Sequence, residues 1–172
     1  MSEFNSCANL IKDQEKVQEI LNQRESSPDP LQDMLDTQEW LQSVLAEKLP
    51  EFNMKPSDIQ TKGELVDWID RNFDAILDEY RELKTSIGGM SNGEKAASAV
   101  WKRWKSDHGK LTSELLSEMP DDDRMEMLME FIDVWHFILN IFVAMGFKSE
   151  DIYLLYMLKN YENYQRYTQR DY

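Results

Sequence analysis

The stretch MEFIDVWHFILNIF, residues 129–142, decides how this chain is read. Its apolar residues, Phe131, Ile132, Val134, Trp135, Phe137 and Ile138, surround one carboxylate, Asp133, and a second, Glu130, stands three residues before it. Residues three apart share a helix face, so the two carboxylates present their oxygens side by side. A charge in so apolar a helix needs a cation, a hydrogen-bonding partner or a raised pKa, because burying it unpaired is costly. Working backward, DEYREL at 78–83 repeats the spacing with Glu79 and Glu82. Four carboxylates with few histidines nearby suit a hard cation such as Mg²⁺. The plainer alternative is that such pairs are a solvated acidic face, as on many helices.

The rest of the chain reads as helix after helix. Leu128, Ile132, Trp135, Leu139, Phe142 and Val143 continue the central helix from the aspartates after Pro120 to Gly146. Thr61-x-x-Glu64 is a capping box opening a helix to about Lys84. Asp29 before Pro30 is an N-cap with proline at the first helical position, for a helix to about Lys48. A helix over 5–23, one from Ser91 through Trp104, a short one within 110–119 and a last one capped by Ser149 complete the pattern. No strand-like alternation, repeat or sustained heptad appears. The expectation is an all-α single domain over 1–172, a bundle with a four-carboxylate metal site between antiparallel helices. Residues 1–28 are read as a peripheral helix and linker, and 167–172 as a frayed tail.

Composition narrows the partners. The formal charge of −14 argues against a nucleic-acid polyanion, but not against a small phosphate ligand bridged by metal. One cysteine, Cys7, rules out an internal disulfide and suits a reducing cytoplasm. The start shows no signal peptide, and the apolar run 131–147 is too short and interrupted to span a bilayer. Asp133-x-x-His136 resembles half of a di-iron site, but the second Glu-x-x-His is missing. His136 therefore reads as an interior histidine or one that orients a carboxylate. DDDRMEMLME lacks the glycine of an EF-hand loop, and no phosphate-binding P-loop motif is present.

The blocks DPLQDMLDTQEWLQ (29–42), TSIGGMSNGEKAASAVWKRWK (85–105) and YLLYMLKNYENYQR (153–166), with EFIDVWHFI and DEYREL, resemble the all-α dUTPases. They resemble most the dCTP pyrophosphatases (dCTPase-dUTPases) of T-even-like phages, over essentially the whole chain. That resemblance implies Mg²⁺-dependent cleavage of dCTP and dUTP to the monophosphate and pyrophosphate, removing dCTP during phage DNA synthesis in the infected cell's cytoplasm. It implies Glu79, Glu82, Glu130 and Asp133 as ligands for two or more Mg²⁺ ions, with Glu82 activating the attacking water. It also implies Gln38 and Gln42 as base readers. The insertion between the two carboxylate pairs is longer than in compact members, so lid geometry does not carry over.

An amide carries both acceptor and donors, and turning it over exchanges them. Cytosine and uracil differ by such an exchange, so a flipping glutamine could read either base. Trp68 lies three helical turns before Glu79 and could face the same cleft. Lys102, Lys105, Lys159, Asn163 and Arg166 are the candidate phosphate contacts, with Tyr156 and Asn160 on the same side of the last helix. Expected partners are dCTP, dUTP, a second copy of the chain and other phage nucleotide-synthesis enzymes, with no nucleic acid or membrane. Two alternatives stand beside this reading. One is a broader, housekeeping nucleoside triphosphate pyrophosphatase; the other is a non-catalytic helical interaction module.

Overall fold

The computed structural model describes residues 26–88, 102–106 and 113–169, together with Glu15, Gln18, Glu19, Asn22, Val100 and His108. Among these residues there are four long helices and no strand: α1 (Pro30–Lys48), α2 (Lys62–Ile87), α3 (Asp121–Ala144) and α4 (Ser149–Gln169). Single 3-10 turns lie at Pro56–Asp58 and Leu116–Glu118. The all-α expectation is met.

Helices α1, α2 and α4 start where side chains satisfy free amides. Asp29 Oδ1 accepts from the main-chain N–H of Leu31 at 2.9 Å and of Gln32 at 3.1 Å, with Pro30 at the first helical position. Thr61 and Glu64 form the reciprocal box. The Thr61 N–H donates to Glu64 Oε2 at 2.8 Å, and the Glu64 N–H donates to Thr61 Oγ at 3.2 Å. At the far end of α3 the Gly146 N–H reaches the Val143 carbonyl at 3.0 Å, and the Phe147 N–H reaches that of Phe142 at 3.1 Å. Gly146 adopts φ 73°, which a side chain would disfavour, and the Phe142 and Phe147 rings meet edge to face at 5.9 Å. This is a Schellman ending with its apolar clasp.

Three local expectations change. Ser149 does not cap α4; it is buried in the first turn, and its hydroxyl donates to Asp29 Oδ2 at 3.1 Å. Lys148 takes the cap position instead, its N–H donating to Asp151 Oδ2 at 3.1 Å. The segment 102–106 makes turns rather than helix, through i→i−3 bonds from Lys105 to Lys102 and from His108 to Lys105. Of the stretch 110–119, residues 113–119 hold only the 3-10 turn at Leu116–Glu118. The expected helix from Ser91, Trp101, Cys7 and most of the helix over 5–23 lie outside the described residues, as do 170–172.

The chain divides into two compact units. One comprises 1–23 and 69–138 and holds most of α2 and α3. The other comprises 24–68 and 139–172 and holds α1, the start of α2, the end of α3 and α4. Among the described residues of this second unit, Leu35, Trp68 and Leu139 are buried apolar side chains, and Gln38, Asn140 and Ser149 are buried polar ones.

Candidate metal centre

Glu79 and Glu82 project from α2, and Glu130 from α3. One carboxylate oxygen from each lies within 4.8 Å of the others. Glu130 is buried, Glu79 half-buried and Glu82 exposed, so the group is graded from interior to solvent. Three negative groups this close repel one another. Burial, then Glu82, Asp133, Glu126 and Glu79, push the Glu130 carboxyl up to about 7. Burial first, then Asp133, Glu82 and Asp78, raise that of Glu79. An all-carboxylate oxygen set that pays an electrostatic penalty when empty-handed fits a hard divalent cation.

Asp133 stands near enough to act on both Glu79 and Glu130, yet outside the three-oxygen group. Its Oδ1 lies 3.4 Å from His136 Nδ1 on the same helix face. His136 is exposed rather than interior, and its position fits the orienting of a carboxylate. Glu126, one turn before Glu130, adds to the repulsion.

The proposed base readers lie in the other unit. Gln38 is buried on α1 and its Nε2 donates to Asn140 Oδ1 at 2.7 Å. Trp68 is buried too, its indole N–H donating to the main-chain carbonyl of Asn140 at 3.1 Å. Gln42, one turn after Gln38, is half-buried. Sequence reasoning passed over Asn140. Its signal was available, because an amide inside the apolar run 137–144 has to find a partner.

On α4, Lys159 Nζ sits 2.6 Å from Glu162 Oε2, and Arg166 pairs with the same carboxylate. Glu162, which the sequence reading did not weigh, therefore lies between the two cations; the Lys159 hydrogen bond leads the causes that hold its carboxyl below the usual range. Tyr156, Asn160 and Asn163 are exposed on this helix, Lys102 and Lys105 half-buried in the turns before residue 106.

Among the described residues, then, two helices bring together three carboxylates that could hold a divalent cation. No protein-family model and no solved structure matches the chain. Curated relatives do. The chain is 45% identical over 167 residues to a dCTP pyrophosphatase of Enterobacteria phage LZ5, covering 96% of this chain and 97% of that one. It is 44% identical, at the same coverage, to a dCTP pyrophosphatase of Enterobacteria phage T4. A phage T4 protein named as a DNA replication protein matches at 44% over 93% of this chain, but over only 41% of its own length. The chain belongs to the dCTP pyrophosphatase family of T4-type phages.

Proposed function

We propose that this chain hydrolyses dCTP, and dUTP beside it, to the deoxynucleoside monophosphate and pyrophosphate, using Mg²⁺. The observation that carries the proposal is the convergence of Glu79, Glu82 and Glu130 within 4.8 Å, in a chain 45% identical to a dCTP pyrophosphatase. Glu79, Glu82 and Glu130, with Asp133 joining them, would hold two or more ions. The bound cation supplies charge neutralisation for the triphosphate and a Lewis acid for the phosphoryl oxygens. Glu82, the most exposed of the three, takes a proton from the attacking water as the bond between the α- and β-phosphates breaks. His136 steadies Asp133. Gln38 reads the C4 edge of the base, with Gln42 and Trp68 as the further base contacts. Lys102, Lys105, Lys159, Asn163 and Arg166 contact the phosphates, Lys159 and Arg166 exchanging Glu162 for phosphate oxygen. Tyr156 and Asn160 line the same side. The enzyme works as one functional domain in the cytoplasm of the infected host, lowering dCTP during phage DNA synthesis. The similarity to a T4 DNA replication protein supports a place beside other enzymes of phage nucleotide supply.

Pyrophosphate release from each nucleoside and deoxynucleoside triphosphate, with Mg²⁺ and with EDTA, tests this. Release is expected from dCTP and dUTP alone and is abolished by EDTA. Release from many triphosphates would point to the broader housekeeping activity, and release in EDTA would remove the metal role.

The working form is a homodimer. Phe73, Leu77 and Tyr80 on α2 and Leu128, Phe131 and Ile132 on α3 follow helical spacing and are substantially exposed. Tyr153, Leu154, Tyr156, Met157, Leu158 and Tyr161 are likewise exposed on α4. Apolar stripes this continuous mark protein contact surfaces. By length and composition alone, α3 could also cross a membrane. Glu130 and Asp133 lie within it, however, and carboxylates at bilayer depth are costly, which favours protein as the covering. Sedimentation is expected to give twice the 20.4 kDa chain mass, and Phe131→Glu to shift it toward the monomer. A monomeric parent protein would exclude the dimer.

A further inference from the structure

We propose that Asn140 is a positioning residue for base choice. Its side-chain oxygen pins the Gln38 amide so that Oε1 is left for the base, which makes dCTP the better substrate and dUTP the poorer one. The inference deepens the base-reading role just proposed for Gln38 and rests on it.

Gln38 and Asn140 are each only 4% exposed, and they meet through one hydrogen bond of 2.7 Å, from Gln38 Nε2 to Asn140 Oδ1. Among the described residues nothing donates to Gln38 Oε1. A buried carbonyl oxygen left without a donor is costly, so its natural partner is a ligand that brings one. The amino group at C4 of cytosine is such a donor. Uracil carries a carbonyl at the same place and would set oxygen against oxygen.

The amide cannot simply turn over to suit uracil. Turning Gln38 alone brings Oε1 against Asn140 Oδ1, two acceptors at hydrogen-bond distance, and loses the bond between them. Asn140 has a further interaction as well, so it is not a free partner that turns with Gln38. Its main chain is tied too, because the indole N–H of Trp68, itself 4% exposed, donates to the Asn140 carbonyl at 3.1 Å. The neighbouring Leu139 is buried at 2% exposure on the same helix. The acceptor that faces Gln38 is therefore carried by a packed stretch of α3, and the orientation of Gln38 follows from it.

The test compares kcat/KM for dCTP with that for dUTP on a single preparation of each variant, so that the folded fraction cancels. Asn140→Leu keeps nearly the same size but offers no acceptor. Gln38 then loses the partner that pins it, and the dCTP-to-dUTP ratio is expected to fall about tenfold. Asn140→Asp supplies an acceptor again and should hold the ratio at or above that of the parent. A merely structural role would cost both variants activity toward the two substrates alike and leave both ratios unchanged. An unchanged or raised ratio in Asn140→Leu, or an equal fall in both variants, would overturn the pinning. Where the substitutions prevent folding, the parent protein decides, with a 2-pyrimidinone deoxynucleoside triphosphate that carries only hydrogen at C4. A pinned oxygen places this analogue below dCTP and above dUTP; dUTP above the analogue would mean that Gln38 turns, and would overturn the proposal. Gln38→Met separates that failure from failure of the underlying reading. A lowered ratio there with no response at Asn140 removes only the pinning. An unchanged ratio at Gln38→Met removes the base-reading role itself.

Discussion

Glu130→Gln is expected to lower dCTP turnover by on the order of 10³-fold while raising the melting temperature of the metal-free protein at pH 8. The two effects share one cause. Glu130 is buried between Glu79 and Glu82 on one helix and Asp133 and Glu126 on its own, and its carboxyl is pushed up to about 7 from 4.5. Without metal, the folded protein holds a proton there that the unfolded chain has already released. Between about pH 4.5 and 7 the folded state therefore binds more protons, and stability falls as pH rises. Above that window the full penalty of the buried charge remains. Glutamine cannot ionise, so the variant should show no such fall, and Mg²⁺ should stabilise it less than the parent. Thermal melts in EDTA and in Mg²⁺ from pH 5 to 8, run beside turnover assays, read all of this. Parent-like turnover by the variant would dismiss the metal centre. Parent stability in EDTA rising across the window would contradict the buried-charge account.

The second large effect lies in the other unit. Leu139 is 2% exposed, and truncating so buried a side chain to Ala is expected to leave a cavity. Losses for such substitutions run to about 3 kcal/mol, and at this chain length that lowers the melting temperature by about 10 °C. Phe131, 56% exposed on the same helix, provides the contrast. Phe131→Ala should barely change the stability of an isolated chain and should act on association instead. A loss below about 1 kcal/mol at Leu139 would mean that this core is softer than its burial implies.

Much of this was legible from local chemistry. Asp29 with Pro30, Thr61 with Glu64, and Gly146 each specify a helix end through bonds within a few residues, and each formed as the sequence indicated. Glu79, Glu82 and Glu130 were likewise visible, because spacing fixes helix faces and apolar surroundings make a carboxylate conspicuous. What stayed hidden depends on partners far apart in sequence. The Gln38–Asn140 bond spans 102 positions, and Ser149 finds Asp29 across 120. Ser149 looked like a cap because serine commonly is one; the tertiary acceptor outcompeted the local amide. Glu162 escaped notice since a lone carboxylate among tyrosines and amides carries no pattern of its own. The turns at 102–106 defeated a periodicity argument that assumed helix through Trp104.

The Asp29 carboxylate has one more consequence. One of its oxygens terminates the free amides of α1, while the other receives the Ser149 hydroxyl from the first turn of α4. Gln32 closes the ring by accepting the Ser149 N–H at 3.0 Å. The starts of two helices thus meet at a single side chain: unravelling α1 from that end takes the acceptors from Ser149, and unravelling α4 takes a donor from Asp29. Hydrogen exchange is expected to show the first turns of the two helices opening together. The carboxyl is held below its ordinary range chiefly by the Gln32 N–H, so acid strong enough to protonate it is expected to weaken both helix starts at once.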